Sequence, residues 1–329
     1  MAKKNPEPEK PSSSVIKALS VRCRYCGQKN AVKDGYKNNS ANCGKCKMPL
    51  SNEPHKKFAD LGKHDYIHPS DSKALATLRA IPGIDTALKK LIAVTGESAI
   101  RVSFMASSVR VTSKQCPDLH AKLQIACTTL GVEMPDMFIQ QNPIVNAFTY
   151  GVEKPYIVLF SGLLEKLSED ETLAVISHEV GHIHAEHVLY LTAARLMEAL
   201  ANVSVGMLVP GSEIIKFIVS AGIGSALLAW ARKAELSCDR AALLVTQDPH
   251  AIGRTMMKLA GGTSASKIDY DLFLEQGREF QKNYDEKFLD RFWANIINSG
   301  LTHPLPVWRV SEILAWVDSG QYADLMAKE

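Results

Sequence analysis

The run His-Glu-Val-Gly-His at residues 178–182 has the residue types and spacing of a zinc-dependent hydrolase. Two imidazoles four residues apart on a helix can bind one zinc ion, while Glu179 between them can take a proton from water. A histidine ten residues after the first would mark a different class of zinc peptidase, but that position is Val188. The run therefore predicts a metal-assisted hydrolase with His178 and His182 as ligands. A pair of ordinary helical histidines is the alternative.

A helix is expected to carry this motif. Ser168 and Glu171 have capping-box spacing, and the acidic residues of the first turn suit the positive end of a helix that begins near residue 169. Apolar residues then recur at three- and four-residue steps, at Leu173, Ile176, Val180 and Ile183. Because the two histidines lie roughly opposite this stripe, one side of the helix is expected to face the core and the other a site.

A second helical segment, predicted over residues 227–247, supplies two more carboxylates. Glu235 and Asp239 are four residues apart and so share one face. A catalytic zinc needs three protein ligands and an open position, and His, His, Glu is one known set. Glu235 is the expected third ligand, and Asp239 is the expected partner of a ligand histidine's other nitrogen. The alternative is a charged helix face in which both carboxylates pair with nearby arginines.

These motifs occur together with others in an order that resembles the HtpX-like and type I CAAX prenyl protease-like zinc metallopeptidases. The resemblance covers roughly residues 65–315. The matching pieces are residues 146–151, 157–164, 178–182 and 232–239, then Thr302-His303-Pro304 and Arg309. The resemblance implies a gluzincin metalloendopeptidase with one zinc ion bound by His178, His182 and Glu235, and with Glu179 as general base.

The resemblance also implies a substrate-binding strand, formed by Asn146, Ala147 and Phe148. Independently of it, residues 137–141 and 156–161 are β-prone runs around a turn-rich stretch, which predicts a small sheet. An extended peptide can add to a sheet edge through main-chain hydrogen bonds, which hold many sequences equally well. A plain hairpin that supports the catalytic helix is the alternative.

His303 is the second expected catalytic residue. It resembles the family's donor that stabilises the oxyanion of the tetrahedral intermediate, a contribution on the order of several kcal/mol. Arg309 is expected to anchor the same segment through a carboxylate. The alternative is a surface histidine without a catalytic role.

A second metal site is predicted near the N-terminus. Two Cys-x-x-Cys pairs have the spacing of a four-cysteine zinc ribbon, at Cys23, Cys26, Cys43 and Cys46. Such a closed thiolate site is structural and stabilises a segment too short for its own core. Iron is the minor alternative. The segment is basic but has few aromatic residues, so we expect a protein partner to dock on it rather than nucleic acid.

Composition bounds the architecture. A chain of 329 residues with 46% apolar residues, 22% charged residues and a net charge of +3 is globular, long enough for one large domain and a small one. We expect a mainly helical α+β fold, with a zincin-type domain whose small antiparallel sheet lies beside the catalytic helix. The expected order is a disordered tail at 1–18, a zinc ribbon at 19–52, a linker at 53–72 and a gluzincin domain at 73–329.

The N-terminal residues are polar and have no apolar signal region, and three further cysteines fall in apolar segments. Both features predict a cytoplasmic protein. Two apolar runs at 196–209 and 214–230 are joined by Pro-Gly-Ser and predict a helical hairpin, but each contains charged residues. A buried or cleft-covering hairpin is the favoured interpretation, and peripheral association with the cytoplasmic membrane face is the alternative.

Two classes of function follow from these features. The first is a zinc endopeptidase of protein quality control that cleaves unfolded or damaged polypeptides. The second is a catalytically latent peptide-binding or chaperone-like protein that docks partners through its zinc ribbon. Glu179 favours the first, because a protein that only binds peptides has no chemical need for a general base.

Overall fold

The structure is a computed structural model, which describes residues 18–22, 29–33, 41, 44, 50, 58, 60–94, 97–201, 222–283, 288–289 and 305–328. The chain divides into two compact units, Met1–Pro54 and His55–Glu329. In the first unit, strand β1 (Ala18–Arg22) pairs antiparallel with strand β2 (Lys29–Lys33). The ribbon ligands Cys23, Cys26, Cys43 and Cys46 lie outside the described residues, so the ribbon stays a prediction.

Helices make up most of the described part of the second unit. They are α1 (Pro69–Arg79), α2 (Ile84–Val94), α3 (Glu97–Ser107), α4 (Pro117–Leu130), α5 (Ser161–Lys166), α6 (Glu169–His184), α7 (Val188–Ala201), α8 (Ile223–Thr246), α9 (Pro249–Gly261), α10 (Tyr270–Asn283), α11 (Pro306–Asp318) and α12 (Gln321–Ala327), with 3-10 turns at Lys63–Asp65 and Gly262–Lys267. The strands are β3 (Val109–Arg110), β4 (Asp136–Gln140), β5 (Ala147–Tyr150) and β6 (Tyr156–Phe160). The prediction of a mainly helical α+β fold is confirmed.

The four strands of the second unit form one sheet in the order β3-β4-β6-β5. The β3–β4 and β5–β6 pairs are antiparallel, as expected, whereas β4 and β6 run parallel, with Asp136 opposite Tyr156. The central strand β6 is buried at four of its five residues, which suits a continuous apolar run between two neighbours. As far as the structure describes the chain, the sheet ends at β5, so this strand has an unpaired edge.

Helix α6 is the central element of the second unit, and α8 packs along it. Ser168 accepts a hydrogen bond from the Glu171 N–H, and the Glu171 carboxylate accepts one from the Ser168 N–H, so the capping box forms. The two helices approach each other closely at Gly181. A Cβ atom added there would lie 2.9 Å from Cβ of Ala241 and 3.4 Å from Cα of Cys238. The absence of a side chain at residue 181 therefore sets the spacing of the two helices.

Replacing Gly181 by alanine is expected to push α6 and α8 apart. The new methyl group meets atoms close to the α8 backbone, and overpacking of this kind costs about 1–3 kcal/mol, against a gain in helix propensity of about 1 kcal/mol. We expect a lower thermal midpoint and at least a tenfold loss of peptidase activity, because side chains on the two helices lose their register. The matched control is Gly224→Ala on α8, whose new Cβ meets only the flexible end of Met197 at 3.3 Å. Equal thermal midpoints and activities for the two variants would contradict the close approach.

The segment before α1 contacts both of these helices. The Tyr66 hydroxyl lies 2.8 Å from Nδ1 of His184, and the rings stack with centroids 5.6 Å apart. The backbone N–H of His68 donates to the Ser237 hydroxyl in α8, at 3.0 Å. Both residues fall inside the region 53–72 that we expected to be a linker, and these contacts attach it to the second unit. No local sequence pattern predicts these contacts, because the paired residues are more than a hundred positions apart in the chain.

Candidate active site

Three side chains from α6 and α8 converge at one buried point. Nε2 of His178 lies 3.3 Å from Oε2 of Glu235, and Nε2 of His182 lies 3.4 Å from Oε1 of the same carboxylate. Two ligands of one tetrahedral zinc ion, bound at about 2.0–2.1 Å, are about 3.3–3.4 Å apart. The separations of the two imidazole nitrogens from the Glu235 carboxylate are compatible with one zinc ion bound by all three side chains.

The electrostatics of this point also suit a cation. Burial lowers the pKa of His182 to about 4, so its ring is neutral at pH 7, which is the form that binds metal. Burial also opposes charge on His178, but Glu235 and Asp239 outweigh it and raise its pKa to about 9. The two carboxylates thus favour a positive charge at this point.

Asp239 and Arg309 surround the other nitrogen of His178. Nδ1 of His178 lies 3.0 Å from Oδ1 of Asp239. Arg309, on α11, donates through Nε to Oδ2 of Asp239 at 2.7 Å and through Nη2 to Oδ1 at 2.5 Å, and its Nη1 lies 3.2 Å from Oε2 of Glu235. Burial alone would raise the pKa of Asp239, but Arg309 lowers it below its usual value. Arg309 therefore holds both carboxylates of α8 in place.

Cys238 is a second candidate for the third ligand, because its sulfur and a nitrogen from each of His178 and His182 lie within 4.8 Å of one another. The sulfur lies 3.7 Å from Nδ1 of His187, which in turn lies 3.3 Å from Nδ1 of His182. The Nε2 atoms of both ligand histidines instead face Glu235. Burial raises the pKa of the Cys238 thiol well above its usual value, which opposes the thiolate that a metal needs. These contacts favour Glu235 over Cys238 as the candidate third ligand.

The carboxylate of Glu179 is oriented by strand β5. The hydroxyl of Thr149 lies 2.7 Å from Oε2 of Glu179 and 3.0 Å from its carbonyl oxygen. Both residues are buried, so the carboxylate orientation is fixed by the protein rather than by solvent. Thr149 was missed from the sequence, although its place in the Asn-Ala-Phe-Thr-Tyr run, one residue beyond the expected substrate-binding residues, could have suggested it.

A cleft of about 290 Å³ opens beside these residues. It is lined by His178, Glu179, Glu235, Asp239, Arg309, Asn146, Ala147 and apolar side chains from α6, α8 and α9. The structure thus brings Asn146 and Ala147 to the same cleft as His178, Glu179 and Glu235. The side chain of Phe148 lies away from it and packs edge-on against Phe104 and Phe160. The alternation of side chains along β5 accounts for this difference.

Some expected site residues cannot be placed. His303 and residues 202–221 of the expected hairpin lie outside the described residues, as do the four ribbon cysteines. Within the part of the chain that is described, every helix is too short or too polar to cross a bilayer. Two buried residues were not expected from the sequence: His187, which lies beside His182, and Asp71, which lies beside His187. The sequence could have suggested His187, because it lies only five residues after the second motif histidine. It gave no indication that Asp71 lies near the site.

Comparison with known proteins identifies the family. Residues 113–317 match the family described as Peptidase family M48. The chain is 38% identical over 275 residues to the plastoglobule-localized metallopeptidase 48 of Arabidopsis thaliana, covering 82% of this chain and 77% of that protein. It is 28% identical to protease HtpX homolog 2 of Methanosarcina mazei, over 46% of this chain and 58% of that protein. It is also 28% identical to a protease HtpX homolog of Listeria monocytogenes, over 52% of this chain and 67% of that protein.

No solved structure matches the chain. The family match covers more than half of the sequence and includes the His178 to His182 motif, Glu235 and Arg309. The chain therefore belongs to peptidase family M48 and is a zinc metallopeptidase.

Proposed function

We propose that this chain is an endopeptidase that cleaves extended segments of unfolded or damaged proteins. The observation that carries the proposal is that two of the proposed ligands, His178 and Glu235, line one cleft together with Glu179 and with Ala147 of the edge strand β5. A free sheet edge recognises main-chain groups, which every polypeptide shares and which folded proteins rarely expose. The substrate class is therefore set by backbone accessibility rather than by one sequence.

Glu179 is the proposed general base. Zinc, when held by His178, His182 and Glu235, supplies Lewis-acid activation of water and of the scissile carbonyl. Glu179 then accepts the proton of the attacking water and returns it to the leaving amine. The Thr149 hydroxyl keeps one carboxylate oxygen in a fixed position during both transfers. His303, outside the described residues, keeps its proposed role as donor to the oxyanion.

The open edge of β5 supports a short pairing site for substrate. Phe160 N–H donates to the Asn146 carbonyl at 3.0 Å, so the main-chain groups of Ala147 and Thr149 face away from β6. The carbonyl of Thr149 accepts a hydrogen bond from Arg195. The Ala147 N–H donates to Oδ1 of Asn146 at 2.8 Å. This arrangement therefore favours pairing of a substrate N–H with the Ala147 carbonyl, next to Asn146. Phe148 contributes through its backbone position and not through its ring.

The cleft wall formed by α9 supports a preference for apolar side chains near the scissile bond. Ile252, Met256 and Leu259 line it, and Leu259 is the most accessible of the three. We expect Leu259→Glu to lower kcat/KM for peptides with an apolar residue at the adjoining position by about tenfold, since one apolar contact contributes about 1–3 kcal/mol. Peptide-library cleavage profiles measure this effect. An unchanged profile would mean that α9 does not contact the substrate.

The remaining proposals concern the N-terminal unit and the place of action. We expect about two zinc ions per full chain, with one lost when the four ribbon cysteines are replaced by serine. The hairpin β1–β2 supports the ribbon, because the first cysteine pair falls in its connection. Docking of a protein partner on this unit and a cytoplasmic location, with or without peripheral membrane contact, stay predictions.

The experiment that tests the proposed function compares cells that carry wild-type protein with cells that carry Glu179→Gln. Mass spectrometry of new protein termini should show cleavage products in wild type alone, drawn from proteins unfolded by heat or oxidation. Substrates should accumulate on the inactive variant. If the same proteins bind both forms and no new termini appear, the chain is a peptide-binding protein and the proposed function is wrong.

A further inference from the structure

A second buried histidine stands directly behind the zinc ligand His182. Nδ1 of His182 lies 3.3 Å from Nδ1 of His187, which is the residue before α7. The relative exposure of His182 is 1% and that of His187 is 0%, so solvent does not supply partners for these nitrogens. The two rings meet edge to face with centroids 5.5 Å apart. Each ring therefore determines the proton position of the other.

The far side of His187 faces a buried carboxylate from a distant helix. Nε2 of His187 lies 3.1 Å from Oδ2 of Asp71 on α1, although its N–H is not aimed straight at the oxygen. Asp71 has a relative exposure of 0%. It also accepts hydrogen bonds from Ser237 at 2.5 Å and from Nε1 of Trp230 at 2.8 Å. Two hydrogen-bond donors thus fix this carboxylate, and His187 lies beside it.

Only one arrangement of protons satisfies this chain of contacts. A neutral His182 that offers Nε2 to a metal carries its hydrogen on Nδ1, and that hydrogen points at His187. Nδ1 of His187 must then be the acceptor, so its hydrogen is on Nε2, facing the acceptor-only carboxylate of Asp71. The Cys238 thiol, 3.7 Å from the same Nδ1, is a weaker donor that competes poorly for it.

We propose that His187 and Asp71 are positioning residues that fix the tautomer and ring orientation of His182. The proposal rests on the proposed ligand set, because it needs His182 to bind zinc through Nε2. It makes the two ligand histidines unequal: His178 contacts its carboxylate directly, whereas His182 reaches one through a neutral imidazole. It also extends the catalytic machinery to α1, which lies outside the residues that match the family.

The sharpest variant is Asp71→Asn. The Trp230 indole N–H requires an acceptor, so it should bind the amide oxygen of the substituted side chain. The amide NH₂ then faces His187, and Nε2 of His187 must accept its hydrogen bond. The His187 hydrogen moves to Nδ1, where it opposes the hydrogen of His182. We expect zinc to dissociate into a chelator about 10–100-fold faster, measured in the inactive Glu179→Gln background. The matched control is Asp85→Asn, the same substitution on α2, where the carboxylate accepts a hydrogen bond from Tyr190 away from His187.

Two further measurements separate positioning from core packing. Nitrogen NMR of the zinc-loaded, otherwise unaltered protein should show His187 protonated at Nε2, and Asp71→Asn should move the proton to Nδ1. His187→Asn keeps an acceptor near the Nδ1 position, whereas His187→Leu does not. We expect the Asn variant to release zinc more slowly than the Leu variant, at matched thermal midpoints.

The inference is overturned if His187 of the unaltered protein is protonated at Nδ1, an observation that needs no variant to fold. It also fails if Asp71→Asn and Asp85→Asn release zinc at the same rate. Failure of the ligand set is distinguishable from both results. In that case His182→Ala would retain its full zinc content, whatever the tautomer of His187.

Discussion

Glu179→Gln is expected to retain zinc and to lose cleavage of casein and of unfolded proteins. The amide has the shape of the carboxylate and can still accept the hydrogen bond of Thr149, but it cannot take a proton from water. General-base catalysis contributes typically 10²–10⁴-fold, so kcat should fall by about a thousandfold. Cleavage assays and elemental analysis of the same protein preparation measure both properties together.

The matched control for this variant is Glu169→Gln. Glu169 is in the first turn of the same helix, and its side chain is 80% exposed, so the charge change is equal while the site is untouched. Its activity should be close to that of wild type. Full activity in Glu179→Gln would show that Glu179 is not the general base. The general base would then be a residue to which no role has been assigned.

Glu235→Gln is expected to lose the catalytic zinc, whereas Cys238→Ala is expected to keep it. A neutral amide is a poor zinc ligand, and the two remaining imidazoles do not complete a three-ligand site. We expect the zinc content to fall by about one ion per chain in Glu235→Gln, and peptidase activity to fall with it. Cys238 lies behind His182 and faces His187, so its loss should leave the stoichiometry unchanged.

The opposite pattern would identify a His-His-Cys site. Zinc lost from Cys238→Ala and kept in Glu235→Gln would mean that His182 binds through Nδ1 and that its ring is turned. Both the ligand set and the positioning role of His187 would then be wrong. The thermal midpoints of the two variants show whether a loss of zinc is local or follows from unfolding.

Local patterns predicted the elements that carry the site. The capping box at Ser168 and Glu171 is a contact over three residues, and α6 begins at Glu169, as expected. Glu235 and Asp239 are four residues apart, so any helix places both on one face, and both lie in α8. The β-prone runs likewise correspond to β4 and β6.

Long-range contacts could not be predicted in the same way. The parallel pairing of β4 with β6 depends on how the chain crosses between them, and no periodicity within either strand encodes it. Asp71 contacts His187, although the two residues are 116 positions apart in the sequence. From the sequence, an aspartate in the first turn of α1 is explained by its favourable interaction with the positive end of the helix. Only the packing of α1 against α8 shows that it contacts His187.

Anomalous diffraction at the zinc absorption edge, from crystals of the full chain, tests the central claim most directly. A peak is expected within bonding distance, about 2.0–2.2 Å, of Nε2 of His178, Nε2 of His182 and a carboxylate oxygen of Glu235. The electron-density map from the same crystals should place Glu179 beside the open coordination position. A peak bonded to the sulfur of Cys238, or no peak between α6 and α8 in protein that cleaves casein, would contradict the account.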